Sequence, residues 1–246
     1  MNKFIKYNVP FNGTNLTLFG RDGDKSDQAI ISLVFLSQMF ATARFTEHDK
    51  ALQKYFKYLK RNEGHFPAII DAGANIGTAS LYFSLIYDES KIYSIEPDQD
   101  NFQMLTTNMS INNKSFIGMQ GALSSKNGFT FLNTIDYGTI GFRTGDSGDV
   151  KVNAFGLTEL YNNLPSNEHP FILKIDIEGA ESEVFSINSP YLSRIPLVIM
   201  EPHDWMIPFK SSSKNFYNEI NKHNFDILMY GENIFCFNID LLKDFS

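Results

Sequence analysis

Cysteine is almost absent from this chain. Cys236 is the only one in 246 residues, which excludes an intrachain disulfide and a thiolate metal site. Lying in Ile234-Phe235-Cys236-Phe237, it reads as a small buried hydrophobe. Long apolar runs are absent as well. No stretch reaches the ~20 residues that cross a bilayer. Lysines at 3 and 6 precede no apolar segment of the secretory kind. No membrane insertion is therefore expected, and the cytoplasm is the expected compartment. Basic clusters are the third lack. The formal net charge is −7. The densest basic stretch, Lys54 to Arg61, is spaced like the solvated face of a helix. A nucleic-acid binder needs a basic face, so nucleic acid is not an expected partner.

What remains is ordinary globular material, 43% hydrophobic and 20% charged, in a length that fits one α/β domain with additions. The 23 Phe and 11 Tyr exceed what one core needs, so some are expected to line a pocket. Two strands, 4–9 and 15–19, flank the turn signal Asn12-Gly13. Ser26 is the expected cap of a helix through Phe40. Thr46 with Asp49 is the expected capping box of another, through about Arg61. These elements form an N-terminal extension, residues 1–64, that would cover the sheet, lid a site or mediate homodimerisation. Residues 65–246 then alternate, with strands at 68–70, 91–96, 115–119, 171–176 and 196–201. A helix is expected from Glu178 to near Ser189, and an antiparallel pair at 128–133 and 149–155. A hairpin at 226–230 and 234–239 closes the chain. The pattern predicts an α/β fold: a mostly parallel Rossmann-like sheet with helices on both faces and an antiparallel C-terminal hairpin.

The most informative stretch runs from Ala68 to Ser80. Ala68-Ile69-Ile70 reads as a buried strand that ends at Asp71. The chain then turns through Gly73, Ala74, Asn75 and Gly77 and enters a helix whose Ala79, Phe83 and Ile86 share a face. Strand, glycine turn and helix N-terminus make the nucleotide site of α/β sheets. Glu96 ends the second strand, 19 residues after Gly77, and Pro97 opens the next helix. An acid there accepts hydrogen bonds from ribose hydroxyls. A dinucleotide oxidoreductase would want a glycine where Asn75 stands. Its Tyr-x-x-x-Lys is matched by Tyr87 to Lys91, between the first two strands, where it cannot face a nicotinamide. S-adenosylmethionine instead needs a carboxylate near its amine, a tight turn past its amino-acid part and an acid for its ribose. Asp71, the Gly73–Gly77 turn and Glu96 supply these three.

Four segments now stand in a telling order and spacing: Ile70 to Gly77, Glu96-Pro97, Ala122 to Ser125, and Lys174-Ile175-Asp176-Ile177-Glu178-Gly179-Ala180-Glu181. Together they resemble the FkbM family of S-adenosylmethionine-dependent methyltransferases, over roughly residues 66–203. The resemblance implies a seven-stranded methyltransferase sheet with S-adenosylmethionine as cofactor. It implies methyl transfer, usually to a hydroxyl, on polyketides, sugars or polysaccharide ends. By the same resemblance Asp71, Gly73, Asn75 and Gly77 surround the methionine part of the cofactor, and Glu96 holds its ribose. Gly121 and Ala122 would lie beside adenine, holding it by backbone because no acid stands there.

Alternation places the acceptor chemistry. Lys174, Asp176 and Glu178 share parity at the end of one strand, and Glu201 and His203 at the end of the next. His203 has the intrinsic pKa of a base. Asp176 or Glu178 would orient the acceptor or take its proton. The plainer alternatives are an ion pair at Lys174, helix-start acids at Glu178 and Glu181, and a surface histidine. A divalent-metal site of Asp176, Glu201 and His203 is compatible with these residue types, but no spacing demands one and none is predicted. The loop 134–147, with Tyr137, Phe142 and Arg143, and the loop Trp205 to Phe209 are the candidate acceptor walls. The expected function is O-methylation of a hydroxyl on a sugar, glycan or related small molecule. A non-catalytic nucleotide-binding module is the alternative, with a dinucleotide oxidoreductase behind it.

Overall fold

The computed structural model describes residues 4–133, 143–145, 148 and 150–246. The chain opens with a hairpin, β1 (Phe4–Phe11) and β2 (Thr14–Arg21). It turns at Asn12 and Gly13, both at positive φ, as the Asn-Gly pair predicts. Helix α1 (Lys25–Phe35) is capped by Asp24 rather than Ser26: the Asp24 carboxylate accepts from the amides of Ser26 and Asp27. It also ends earlier than expected, because the amides of Ser37 and Met39 fold back onto the Ser32 and Leu33 carbonyls. Helix α2 (Thr46–Leu59) lacks the expected capping box. Thr46 is already helical, and Asp49 accepts instead from Thr42 Oγ1 at 2.5 Å.

Next come β3 (Phe66–Ala72), α3 (Thr78–Ile86), β4 (Lys91–Glu96), α4 (Gln99–Ile111) and β5 (Ile117–Gln120). A smaller sheet follows, built from β6 (Ala122–Ser124), β7 (Gly128–Asn133), β8 (Arg143–Gly145) and β9 (Val150–Gly156). Then come α5 (Leu157–Asn162), β10 (Glu168–Ile175), α6 (Glu181–Val184), β11 (Leu197–Met200), α7 (Lys214–Ile220), β12 (Phe225–Tyr230), β13 (Asn233–Asn238) and α8 (Ile239–Leu242). Helix α6 is far shorter than the expected run to Ser189. Beyond Phe185 the chain leaves the helix, and the Ser189 amide donates to the Glu219 carboxylate instead, at 2.9 Å.

The main sheet has the order β12-β13-β11-β10-β3-β4-β5. Strands β11, β10, β3, β4 and β5 run parallel, and β13 inserts antiparallel between β11 and β12. The order reverses between β3 and β10, so the crevice beyond their carboxyl ends is the switch point where open α/β sheets bind ligands. Strand alternation divides the core. Ile69, Ile172, Leu197, Phe235 and Phe237 pack with α1, α2 and α3 on one face. Ile70, Leu173, Val198, Ile234 and Cys236 pack with α5, α6 and α7 on the other.

The first sixty residues share the first of these cores. Phe11 and Phe35 pack on Tyr82, and Phe56 packs on Phe171. Two amides of α4 seal the edge of β2. Asn108 accepts from the Phe19 amide at 2.7 Å and donates to its carbonyl, and Asn112 does the same to Thr17.

Candidate functional site

The turn from β3 into α3 is shaped by what it touches. Gly73 has φ +76°, and a Cβ there would lie 1.7 Å from the Asp176 carbonyl oxygen. Gly77, at φ +87°, would drive a Cβ to 2.5 Å from Leu105 Cδ1 on α4. Both glycines are thus required by chain-against-chain packing. Asn75 is left-handed too, at φ 50°, which turns its amide toward the tip of β4. There Glu96 accepts from Asn75 N at 2.8 Å and from Asp98 N at 2.9 Å, with Asn101 Nδ2 further off at 3.4 Å. Burial pushes the Glu96 carboxyl up to about 7, against the pull of those amides. Each of its oxygens keeps acceptor capacity beyond the amide it already holds.

Glu96 lies on a cleft whose other walls include Gly73, Asn75, Ile95, Pro97, Asn101, Ala122 and Leu123. Asp176, Ile177, Glu178 and Ala180 close its far side. Two amide oxygens there, Asn75 Oδ1 and Asn101 Oδ1, are sealed from solvent and have no hydrogen-bond partner among the described residues. Sequence reading picked out Gly73, Asn75, Glu96, Pro97, Ala122 and Asp176 on this cleft. It missed Asn101, Leu123 and Ile177. Asn101 carries a signal in hindsight, since it sits one helical turn inside α4, whose cap is next to Glu96.

Four expected cofactor residues do not reach the cleft. Ala74 and Gly77 are packed under the turn. Gly121 is pressed against Asn153, whose carbonyl oxygen a Cβ would meet at 2.6 Å. Asp71 is fully buried. It accepts from Ser80 Oγ at 2.6 Å and pairs with Lys174 Nζ at 3.1 Å. Lys174, also buried, donates to the Gly73 carbonyl at 2.8 Å. Burial opposes its charge, but Asp71 and Asp176 outweigh that and hold its pKa above the ordinary lysine value. The pair therefore pins the turn from beneath, with both side chains buried.

The other half of the crevice gathers acids. His203 is only 1% exposed, so it is not a surface histidine. Its Nδ1 lies 2.8 Å from Glu181 Oε1; a carboxylate accepts, so Nδ1 donates. Its Nε2 faces Asp176 Oδ1 and Glu178 Oε2 at 3.5 Å each and Glu201 Oε1 at 3.7 Å. Donor atoms of Asp176, Glu178 and His203 lie within 4.8 Å of one another. Burial raises Glu178 to about 7 and Glu201 to about 8, with Asp176 adding to both. Burial works against a charge on His203, but Glu181, Asp176 and Glu178 raise it to about 9. The ring therefore holds its proton at neutral pH in the protein alone. In that state it has no lone pair for an acceptor, and the base role expected of it does not fit the protonated ring. Glu181, fully buried on α6, was read as a helix-start acid and is instead the partner that orients His203.

The loop after His203 leaves Trp205 67% exposed and Phe209 fully exposed beside the mouth. Ile207 of the same loop packs over Gly179, where a Cβ would meet it at 2.8 Å. Most of the expected lip at 134–147, including Tyr137, Phe142 and the Arg143 side chain, lies outside the described residues.

A switch-point cleft, an acid at the tip of β4 and a last strand inserted antiparallel define the Rossmann-like methyltransferase class. The family is narrower. Residues 71–227 match the FkbM methyltransferase domain, and the chain belongs to that family. The chain is similar to Methyltransferase 1 of Beauveria bassiana, 25% identical over 157 residues, covering 54% of this chain and 63% of that one. It is similar to the hexuronic acid methyltransferase AglP of Haloferax volcanii, 27% identical over 141 residues and covering 56% of each. The chain thus spans little more than half the length of these relatives. Among solved structures it is similar to TrmK of M. capricolum in complex with S-adenosyl-homocysteine. There identity is 10%, coverage is 76% of this chain and 65% of that one, and the TM-score is 0.40.

Proposed function

We propose that this chain transfers a methyl group from S-adenosylmethionine to a hydroxyl of a sugar, glycan or related small molecule. The observation that carries the reading is the continuity of the crevice. Glu96, Asp176 and Glu178 line one cleft. The donor half fits the cofactor. Glu96 offers free lone pairs to the two ribose hydroxyls, and the orphaned Asn75 and Asn101 oxygens offer acceptors to hydroxyl or amine donors. When bound, the cofactor supplies an electrophilic methyl group on a sulfonium. The chain's own task is to hold an acceptor oxygen in line with it and to remove a proton. Asp176, Glu178 and Glu201 stand where that proton would go, and Trp205 offers a flat apolar face to a sugar ring. The hexuronic acid named for the Haloferax relative agrees with a sugar acceptor.

The test is transfer of labelled methyl from S-adenosylmethionine to a panel of sugars and glycans, with mass spectrometry of the product. Label on a sugar oxygen, lost in Asp176→Asn, is the expected result. Cofactor binding with no transfer to any hydroxyl acceptor would overturn the reading.

A further inference from the structure

The acidic mouth presents an electrostatic problem. Asp176, Glu178, Glu181 and Glu201 surround one imidazole, and Lys174 reaches only Asp176, at 3.6 Å. Such a group repels itself unless positive charge sits among the oxygens. A proton on His203 Nε2 serves them poorly. Its three neighbours stand at 3.5–3.7 Å, whereas charge-assisted N–H···O contacts close to roughly 2.7–2.9 Å. Small side-chain shifts would bring these donors to the spacing of ligands on a shared ion. Donors about 2.1 Å from one cation lie roughly 3.0–3.4 Å apart at neighbouring vertices and roughly 4.2 Å apart across it.

Three further observations agree. Glu178 Oε2 is sealed from solvent and has no hydrogen-bond partner among the described residues. Glu178 adopts a left-handed backbone, φ 56°, just before Gly179 at φ 97°, and its Oε2 lies 3.5 Å from His203 Nε2. His203 Nδ1 donates to the buried Glu181, which fixes Nε2 toward the three oxygens, where a bound cation would take the place of its proton. This is the outer-sphere carboxylate by which metal-binding histidines are oriented.

We propose that Asp176, Glu178 and His203 bind one divalent cation at the mouth of the cleft, with Glu181 orienting the imidazole. Two carboxylates and one imidazole, with no thiolate, suit Mn²⁺. Asp176 and Glu178 also line the donor cleft, so the ion's remaining positions face the place where an acceptor stands. This second step rests on the proposed methyl transfer. The ion would hold an acceptor oxygen and ease loss of its proton. It would also let the acidic mouth accept an anionic sugar.

The test is titration of MnCl₂ into the untagged chain, followed by calorimetry and by the Mn²⁺ spin-resonance signal. Expected is one site per chain and a melting temperature that rises with Mn²⁺. Glu178→Gln should weaken binding at least tenfold, and Glu181→Gln about tenfold. Circular dichroism of each variant checks that it folds. Glu63→Gln, exposed and far off in sequence, should bind as the unaltered chain does. No Mn²⁺ binding, or equal binding in folded Glu178→Gln, overturns the proposal. S-adenosyl-homocysteine is titrated into the same samples separately. Its failure to bind would overturn the donor-cleft reading and leave the cation result standing.

Discussion

The two halves of the crevice hold their carboxylates in opposite ways. At the tip of β4, Glu96 stands alone and is satisfied by the amides of Asn75 and Asp98, from loops on either side. At the tips of β10 and β11, four acids and a histidine are set mainly against one another. The first arrangement is complete in the protein alone and leaves acceptors over for a ligand. The second is balanced only when a proton, a cation or a substrate joins it. A donor site has to recognise the same molecule every turnover, and a rigid acid held by fixed amides does that. An acceptor site has to move a proton, and a crowded set of carboxylates with raised pKa values does that.

The comparison breaks most severely where the halves touch. Gly73→Ala would push a Cβ into the Asp176 carbonyl and force φ +76° on a side chain. We expect a stability loss of at least about 3 kcal/mol by denaturant midpoint, with cofactor binding lost as well. Substitution on the acceptor side should separate the halves. Glu201→Gln should lower the rate of methyl transfer about 100-fold while S-adenosyl-homocysteine affinity stays within about twofold, because a proton acceptor is lost and no donor-site contact is touched. Steady-state kinetics beside calorimetry reads both.

A change of pH acts on the donor half through Glu96. Its carboxyl titrates near 7 in the folded chain, above the ordinary 4.5. The hydroxyls of a ribose bond best to the ionised form, so affinity falls as pH drops through 7. Between pH 8 and pH 6 the expected loss is about tenfold, and Glu96→Gln should flatten it. Stability moves the other way. The folded state keeps this proton between pH 4.5 and about 7 while the unfolded chain releases it, so the Glu96 contribution weakens as pH rises across that window. The smallest expected effect is at Asn101→Ala. It removes one weak donor to Glu96 and one orphaned acceptor, and should cost about fivefold in cofactor affinity.

How far sequence reached follows from how local each feature is. The strand ends, the β3 turn and Glu96 are written within short stretches, where alternation and glycine spacing suffice. The mostly parallel character of the main sheet follows from alternating strands and helices, whereas its strand order and reversal point do not. Asp71 misled because its position at a strand end says nothing of depth. Only the arrival of Lys174 from a strand far along the chain shows it to be a buried staple. Glu181 misled in the same way. Its helix-start position explains an acid without reference to His203, which lies 22 residues on. The caps of α1 and α2 were misplaced because Asp24 and Thr42 compete with the expected residues from just outside the motif.

The central claim is that the cleft at the tips of β3 and β4 is a cofactor site built on Glu96. Calorimetric titration with S-adenosyl-homocysteine at pH 8, for the unaltered chain and for Glu96→Gln, tests it most directly. The account predicts one site per chain and an affinity on the order of 100-fold weaker in the variant, from two hydroxyl contacts to a charged group. Absence of binding to the unaltered chain, or equal affinity in the two proteins, would contradict it.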